Sequence, residues 1–245
     1  MNRRPFKHWK LTVFGIPVRI DRSWFAVLAF VSWSLASDYF PSSTPGLQGA
    51  VYWGMGLTAA TLLFTCVLLH EFGHSLVARR YGIGVSQVTL FMFGGVAELA
   101  GRLRRPSMEL MITLAGPLVS AIIAGGCVGA WRLLVRLMPS HIVLIALVRY
   151  LAFMNIALIA FNLLPGFPLD GGRIFRAVVW GITGNLAGAT RLASAIGSML
   201  GLGLIGLGVW SMVRGAGFHG LWYVLLGIFL RNAANSYRVP GRSRP

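Results

Sequence analysis

Acidic residues are scarce in this chain. Of its 245 residues only Asp21, Asp38, Glu71, Glu98, Glu109 and Asp170 are acidic, and charged residues of both signs make up 11%. A soluble domain carries about 25% charge. With 56% hydrophobic residues, this chain is too apolar for that class and reads as an integral membrane protein. Cysteine is equally sparse. Cys66 and Cys127 lie inside apolar runs without CxxC spacing, which excludes a disulfide framework. Internal repeats and low-complexity segments are also lacking. The formal charge of +16 raises nucleic acid as a partner, but the bases form no helical stripe with interleaved aromatics, so none is expected.

Long apolar runs are what the chain has instead. Six stand out, at 24–40, 50–78, 110–135, 142–164, 187–213 and 217–230. A spanning helix needs about 20 apolar residues. The second to fifth runs are long enough, while the first and last must borrow flanking residues or thin the bilayer. The expected fold is therefore an all-α membrane protein with six transmembrane helices in a lipid bilayer. The N-terminus "MNRRPFKHWKLTVFGIPVRIDRSW" is basic but interrupted by charge before any long apolar core, unlike a cleaved signal peptide.

The basic residues orient the bundle. Arg3, Arg4, Lys7, Lys10, Arg19 and Arg22 precede the first run, and the next connection has none. Arg79, Arg80, Arg102, Arg104 and Arg105 follow the second run; only Arg132 and Arg136 follow the third. Arg173, Arg176 and Arg191 come next, then Arg214 alone, then Arg231, Arg238, Arg242 and Arg244. This alternation puts both termini of a multi-pass cell-membrane protein in the cytoplasm. Arg149 lies within the fourth run and receives no role.

Strand-like alternation occurs near 13–20, and "SQVTLFMF" and "VAELAG" flank Gly94-Gly95, a dipeptide suited to a tight hairpin turn. A small β-sheet or hairpin at the cytoplasmic face is expected. One domain follows: a strand region at 1–23, a six-helix core at 24–230 and a basic tail at 231–245, expected to be disordered in "RVPGRSRP". No second domain is expected after it.

Chemistry concentrates in "LLFTCVLLHEFGHSLVARR". Ionisable groups at membrane depth are costly and mark function by default. His70 and His74 are four apart, share one helix face and can reach one metal, while Glu71 is placed to act as a base on water. The bland alternative is a pair of buried histidines satisfying each other, but burying both beside a carboxylate without a metal is expensive. If Arg79 and Arg80 mark the cytoplasmic interface, His74 is roughly 8 Å and Glu71 roughly 13 Å inside it.

Zinc held by two histidines needs a third protein ligand and leaves a position open for water. Asp21 and Asp38 lie at run ends in the wrong places, and Glu98 and Glu109 are expected at the surface. Asp170 sits in "NLLPGFPLDGGR", where prolines and glycines rule out a continuous helix. Irregular backbone at this depth is tolerated where it lines a cavity. The competing reading is a helix-stop loop with Asp170 paired to Arg173 or Arg176. Cys66, four before His70, reads as a buried core thiol rather than a ligand. His8, His141 and His219 read as interfacial, and "GSMLGLGLIGLG" as close helix packing.

"HEFGH" with "NLLPGFPLDGG", together with "GIPVRID", "FMFGGVAEL" and "TLAGPLVS", resembles the site-2 protease family of intramembrane zinc metalloproteases. The likeness runs from about Phe14 to Tyr237. It implies that His70, His74 and Asp170 hold one zinc ion and that Glu71 is the general base. It also implies a role for Asn162 in substrate binding or oxyanion stabilisation, beside the plainer reading of a helix-to-loop cap. The implied substrate is a membrane-spanning or membrane-tethered protein, cleaved near the cytoplasmic side in regulated intramembrane proteolysis. A regulatory membrane protein is compatible with this. No PDZ-like domain separates the motifs, and no paired nucleotide-sensing domains are expected. Ser120 stands where many members have Asn, a difference expected to concern helix packing more than chemistry.

Two other classes compete. A zinc transporter would need polar ligands along a path to both sides, and the outer halves of these runs show almost none. A non-proteolytic scaffold should lack the base, yet Glu71 is present.

Overall fold

A computed structural model describes residues 10–237 except 93, 102 and 216. The expectations for His8, the first basic cluster up to Lys7 and the tail from 238 lie outside the described residues, as does the side chain of His219. The chain forms two compact units. One comprises residues up to 102 and 115–159; the other comprises 103–114 and the residues from 160 onward.

The first unit contains a four-stranded sheet in the order β1-β2-β3-β4. The stretch expected as one strand is a hairpin of β1 (Lys10–Val13) and β2 (Ile16–Ile20). Phe14 and Gly15 both take positive φ, 52° and 72°, the two-residue turn whose twist matches paired strands. β2 then runs parallel to β3 (Gly84–Phe91), with Val18 opposite Val88. β3 returns antiparallel as β4 (Gly94–Ala100), pairing Phe91 with Gly94 and Leu90 with Gly95. β4 thus already begins at Gly94, so the turn does not fall at Gly94-Gly95 as expected. The two glycines lie in the strand, and Gly95 is needed there for a different reason, given below.

Helix α1 (Arg22–Ser34) starts at Asp21, whose carboxylate accepts from the Ser23 amide at 2.9 Å and from the Ser23 hydroxyl at 2.7 Å. These bonds hold the Asp21 carboxyl below the usual carboxylate range because they stabilise its charged form. The Ser23 hydroxyl also accepts from the Met92 amide, tying the β3–β4 turn to the start of α1. A π-helical turn at Leu35–Tyr39 leads into α2 (Phe40–Ser43). Helix α3 (Gly49–Arg80) is 32 residues long and carries the histidine motif. A Cβ on its Gly56 would lie 2.5 Å from the Ser32 carbonyl oxygen, so glycine lets α1 and α3 touch. Residues 115–137 of α4 (Pro106–Leu137) and most of α5 (Ile142–Asn162) complete this unit. Its core includes Phe40, Met55, Ala59, Ala60, Cys66 and Tyr150, which agrees with Cys66 as a packed core thiol. Arg149 donates to the Ser43 carbonyl at 3.4 Å.

The second unit holds the first turns of α4, the segment after α5, α6 (Asp170–Thr183), α7 (Leu186–Val213) and α8 (Gly217–Ser236). No helix was expected at α6, because glycines at its second and third positions hide it from propensity reasoning. Helices α7 and α8 meet through glycine. A Cβ on Gly201 would fall 2.7 Å from the Gly227 carbonyl oxygen, and one on Gly208 2.6 Å from that of Gly220. Two glycines seven apart on each helix thus build the close contact expected from the small-residue pattern. A Cβ on Gly203 or Gly206 would meet no neighbouring element within 4 Å among the described residues.

Glu109 contradicts the sequence expectation of a surface residue. It is 1% exposed, because Arg176 from α6 grips its carboxylate. Nε donates to Oε1 at 2.9 Å and to Oε2 at 3.2 Å, and Nη2 donates to Oε1. Burial is possible because the charge is paired; removing one partner of such a pair costs about 3–5 kcal/mol.

Among the described residues, four helices, α3, α4, α5 and α7, are long and apolar enough to cross a membrane. They coincide with the four runs judged long enough by composition. The protein is multi-pass, mostly helical, with a small sheet.

Candidate metal centre

Helix α3 presents the histidine motif in a continuous stretch. His70 and His74 are 3% and 4% exposed, and their rings lie 4.9 Å apart, centroid to centroid. Glu71 is half-buried, consistent with a one-residue step of about 100° around the helix. Phe72 turns instead into the cluster of Ile16, Val18 and Val88, so the same five residues that carry the chemistry also dock the sheet. Arg79 reinforces that docking by donating to the Phe14 carbonyl at 2.6 Å.

Glycine decides how closely other elements approach the motif. A Cβ on Gly73 would lie 2.7 Å from the Ala115 carbonyl oxygen and 2.9 Å from a Val119 methyl, so α3 and α4 pack backbone to backbone here. Across that contact, a Cβ on Gly116 would sit 2.6 Å from His70 Nε2 and closer still to His74 Nε2. Both Nε2 atoms therefore converge beside one bare Cα. Gly95 plays the same part for Glu71. A Cβ there would lie 2.5 Å from Glu71 Cγ, so β4 passes directly over the Glu71 side chain.

Ser120 corrects the expectation of a packing residue. It is fully buried, and its hydroxyl lies 2.9 Å from His70 Nδ1. In the tautomer whose Nδ1–H donates to Ser120, Nε2 carries the lone pair that a metal would take. A metal-binding histidine characteristically has its second nitrogen held in this way. Gly116 and Ser120 are four apart on α4, one face of the "TLAGPLVS" stretch, and that spacing was the signal available in the sequence.

Asp170 opens α6. Helix α5 ends at Asn162, which is half-buried, and residues 163–169 are irregular. The expectation that no continuous helix passes here holds, although Gly171 and Gly172 are themselves helical. A Cβ on Gly171 would overlap the Leu163 and Leu164 backbone, and one on Gly172 the Gly166–Phe167 backbone. The helix therefore starts pressed against the irregular segment that precedes it. Asp170 is 8% exposed, at a helix N-terminus where a carboxylate is favoured. Arg176, one of its two suggested partners, is committed to Glu109.

His70, His74 and Asp170 form a group that could hold a metal ion. Each is buried and offers one ligand atom, and these atoms lie within 4.8 Å of one another. Two imidazoles and a carboxylate suit zinc, which takes N and O ligands and keeps an open position at catalytic sites. The bare Cα of Gly116 beside both Nε2 atoms and the Ser120 partner at His70 Nδ1 fit the same use.

Helices fit to span a bilayer and a buried His-His-Asp donor set define a membrane metalloprotein. Comparison with known proteins makes this specific. The model of Peptidase family M50 matches residues 58–135 and 125–204, and the chain belongs to that family. A candidate zinc metalloprotease of Synechocystis sp. is 37% identical over 228 residues, which cover 93% of this chain and 59% of that protein. A zinc metalloprotease of Methanocaldococcus jannaschii is 38% identical over 167 residues, 68% of this chain and 46% of its own length. The chain thus spans less than two thirds of these curated relatives. Among solved structures, the site-2 protease from Methanocaldococcus jannaschii superposes with a TM-score of 0.61 at 25% identity, covering 97% of this chain and 98% of that one.

Proposed function

We propose that the protein is an intramembrane zinc endopeptidase working as one protease domain, with His70, His74 and Asp170 as ligands and Glu71 as general base. The observation that carries this reading is the buried three-donor group, with the half-buried Glu71 directly after its first histidine. Zinc, when bound, supplies a Lewis acid that polarises the scissile carbonyl and acidifies the attacking water. Glu71 takes the proton of that water and returns it to the leaving amine. Ser120 holds the orientation of the His70 ring through its hydrogen bond to Nδ1. Asn162, at the end of α5, is the proposed contact for substrate or oxyanion.

The substrate is a membrane-spanning or membrane-tethered protein. A helix hides its carbonyls in i to i−4 bonds, so the substrate must unwind before attack. β4 is the outer strand of the sheet and pairs, among the described residues, only with β3. An extended segment added to that edge would be held beside Glu71, which Gly95 touches. A proline on the free edge removes ladder bonds. A proline scan through 96–99 of β4 should find at least one variant that folds and keeps zinc but does not cleave, whereas prolines at 88–91 fall on the inner strand β3 and should break the sheet itself. Parental cleavage by every folded variant would remove strand addition from the mechanism, leaving the hairpin as a plug at the membrane surface.

Cleavage near the cytoplasmic side, both termini in the cytoplasm and a place in regulated intramembrane proteolysis complete the proposal. Helix α8 has 20 residues, and α1 with its π turn and α2 runs from 22 to 43. These two stretches would bring the crossings to six. The basic-residue alternation supports the orientation. A cysteine at position 42 should react with an impermeant thiol reagent from outside and one at 107 should not; the reverse pattern would invert the topology. The function itself is tested by capturing membrane proteins on Glu71→Gln. Proteins that accumulate uncleaved on the variant, and are cut by the parent, are substrates. Enrichment of none would favour the transporter or scaffold alternative.

A further inference from the structure

We propose that Arg176, Glu109 and Phe167 form a positioning clamp that fixes the direction of Asp170. The inference rests on the reading of Asp170 as a metal ligand. A carboxylate at the first turn of a helix is aimed by that helix's rotation and by the segment entering it. Both are fixed here by one guanidinium. Arg176 lies six residues after Asp170, about 240° around α6, so its attachment holds a different face from the one that presents Asp170.

The attachment is directional. Arg176 donates from Nε to both oxygens of Glu109 and from Nη2 to Oε1, the forked pairing that sets angle as well as distance. Glu109 stands in the first turn of α4 and is fully buried. The same guanidinium lies over the Phe167 ring, 4.9 Å from its centroid. Phe167 is three residues before Asp170, in the irregular segment. It is itself pinned, its amide donating to the Ala193 carbonyl at 3.2 Å and its ring stacking on Tyr237 at 4.4 Å. Arg176 thus joins the segment before Asp170, the helix after it and the start of α4. A buried ion pair is a weak stabiliser, since apolar replacements are often as stable. Its forked geometry suits orientation better than bulk stability.

The test uses the full chain in detergent, loaded with Co(II) in place of zinc. Three quantities are read: the visible cobalt spectrum, the rate of metal loss to a chelator, and the unfolding temperature. Arg176→Lys keeps the charge but loses the fork. Phe167→Leu removes the ring contact and leaves the ion pair intact. Arg176→Lys should alter the spectrum and release metal about 10-fold faster, the lower end for groups that orient a ligand, at an unchanged unfolding temperature. Phe167→Leu also truncates a buried ring stacked on Tyr237, and should alter the spectrum and speed metal release beyond what its lowered unfolding temperature accounts for. Parental spectra and release rates in Arg176→Lys and Phe167→Leu would overturn the clamp. So would metal loss that merely tracks a lowered unfolding temperature. Asp170→Ala separates the two levels: if it leaves the cobalt spectrum unchanged, the ligand assignment itself falls.

Discussion

The two stretches that carry the proposed metal donors solve the same problem in opposite ways. His70 and His74 stand on the unbroken 32-residue helix α3. Their spacing alone aligns them, and neighbouring elements approach because side chains are given up at Gly73 on the helix and at Gly95 and Gly116 opposite it. Asp170 follows a break. Its direction depends on a helix start pressed against irregular backbone by Gly171 and Gly172, and on the Arg176–Glu109 pair. A regular helix carries its own geometry, whereas a broken one must have geometry imposed by contacts distant in sequence.

The largest effects should come where a single methyl group enters either stretch. Gly116→Ala would drive a Cβ into both Nε2 atoms. Overpacking of this kind reaches about 3 kcal/mol, or about 100-fold faster zinc release in a chelator competition. Gly171→Ala should lower zinc retention comparably and also lower the unfolding temperature, because it overlaps backbone rather than side chain. Gly203→Ala, with open space around it, should stay within about 0.5 kcal/mol of the parent. If Gly116→Ala and Gly203→Ala behave alike, the close approach at the histidines is not what shapes the site.

A smaller effect is expected at Ser120. Ser120→Ala removes the partner of His70 Nδ1 and should weaken metal retention about 10-fold with the fold intact. Ser120→Asn, the residue common in the resembling family, should keep the hydrogen bond and most of the affinity. Equal zinc affinity in Ser120→Ala and the parent would return Ser120 to a packing role.

The same contrast explains what was legible in the sequence. The His70–Glu71–His74 spacing, the four long apolar helices and the break before Asp170 follow from local periodicity and from proline and glycine. What escaped depends on distant partners. Glu109 reads as a surface residue until Arg176, 67 positions away, is known to meet it. Ser120 reads as packing until His70, 50 positions away, faces it. Gly94-Gly95 reads as a turn until Gly95 is seen within β4, giving clearance to Glu71. Helix α6 was missed because its opening glycines serve packing against 163–167 at the expense of helix propensity.

The most direct measurement is zinc content beside cleavage rate in Glu71→Gln and Asp170→Ala, each purified as the full chain. Glu71→Gln should keep about one zinc per chain and lose cleavage by about 10²–10⁴-fold, the usual contribution of a positioned base. Asp170→Ala should lose zinc as well as activity, because only two histidines remain as ligands. Full zinc and full cleavage in Asp170→Ala would contradict the account.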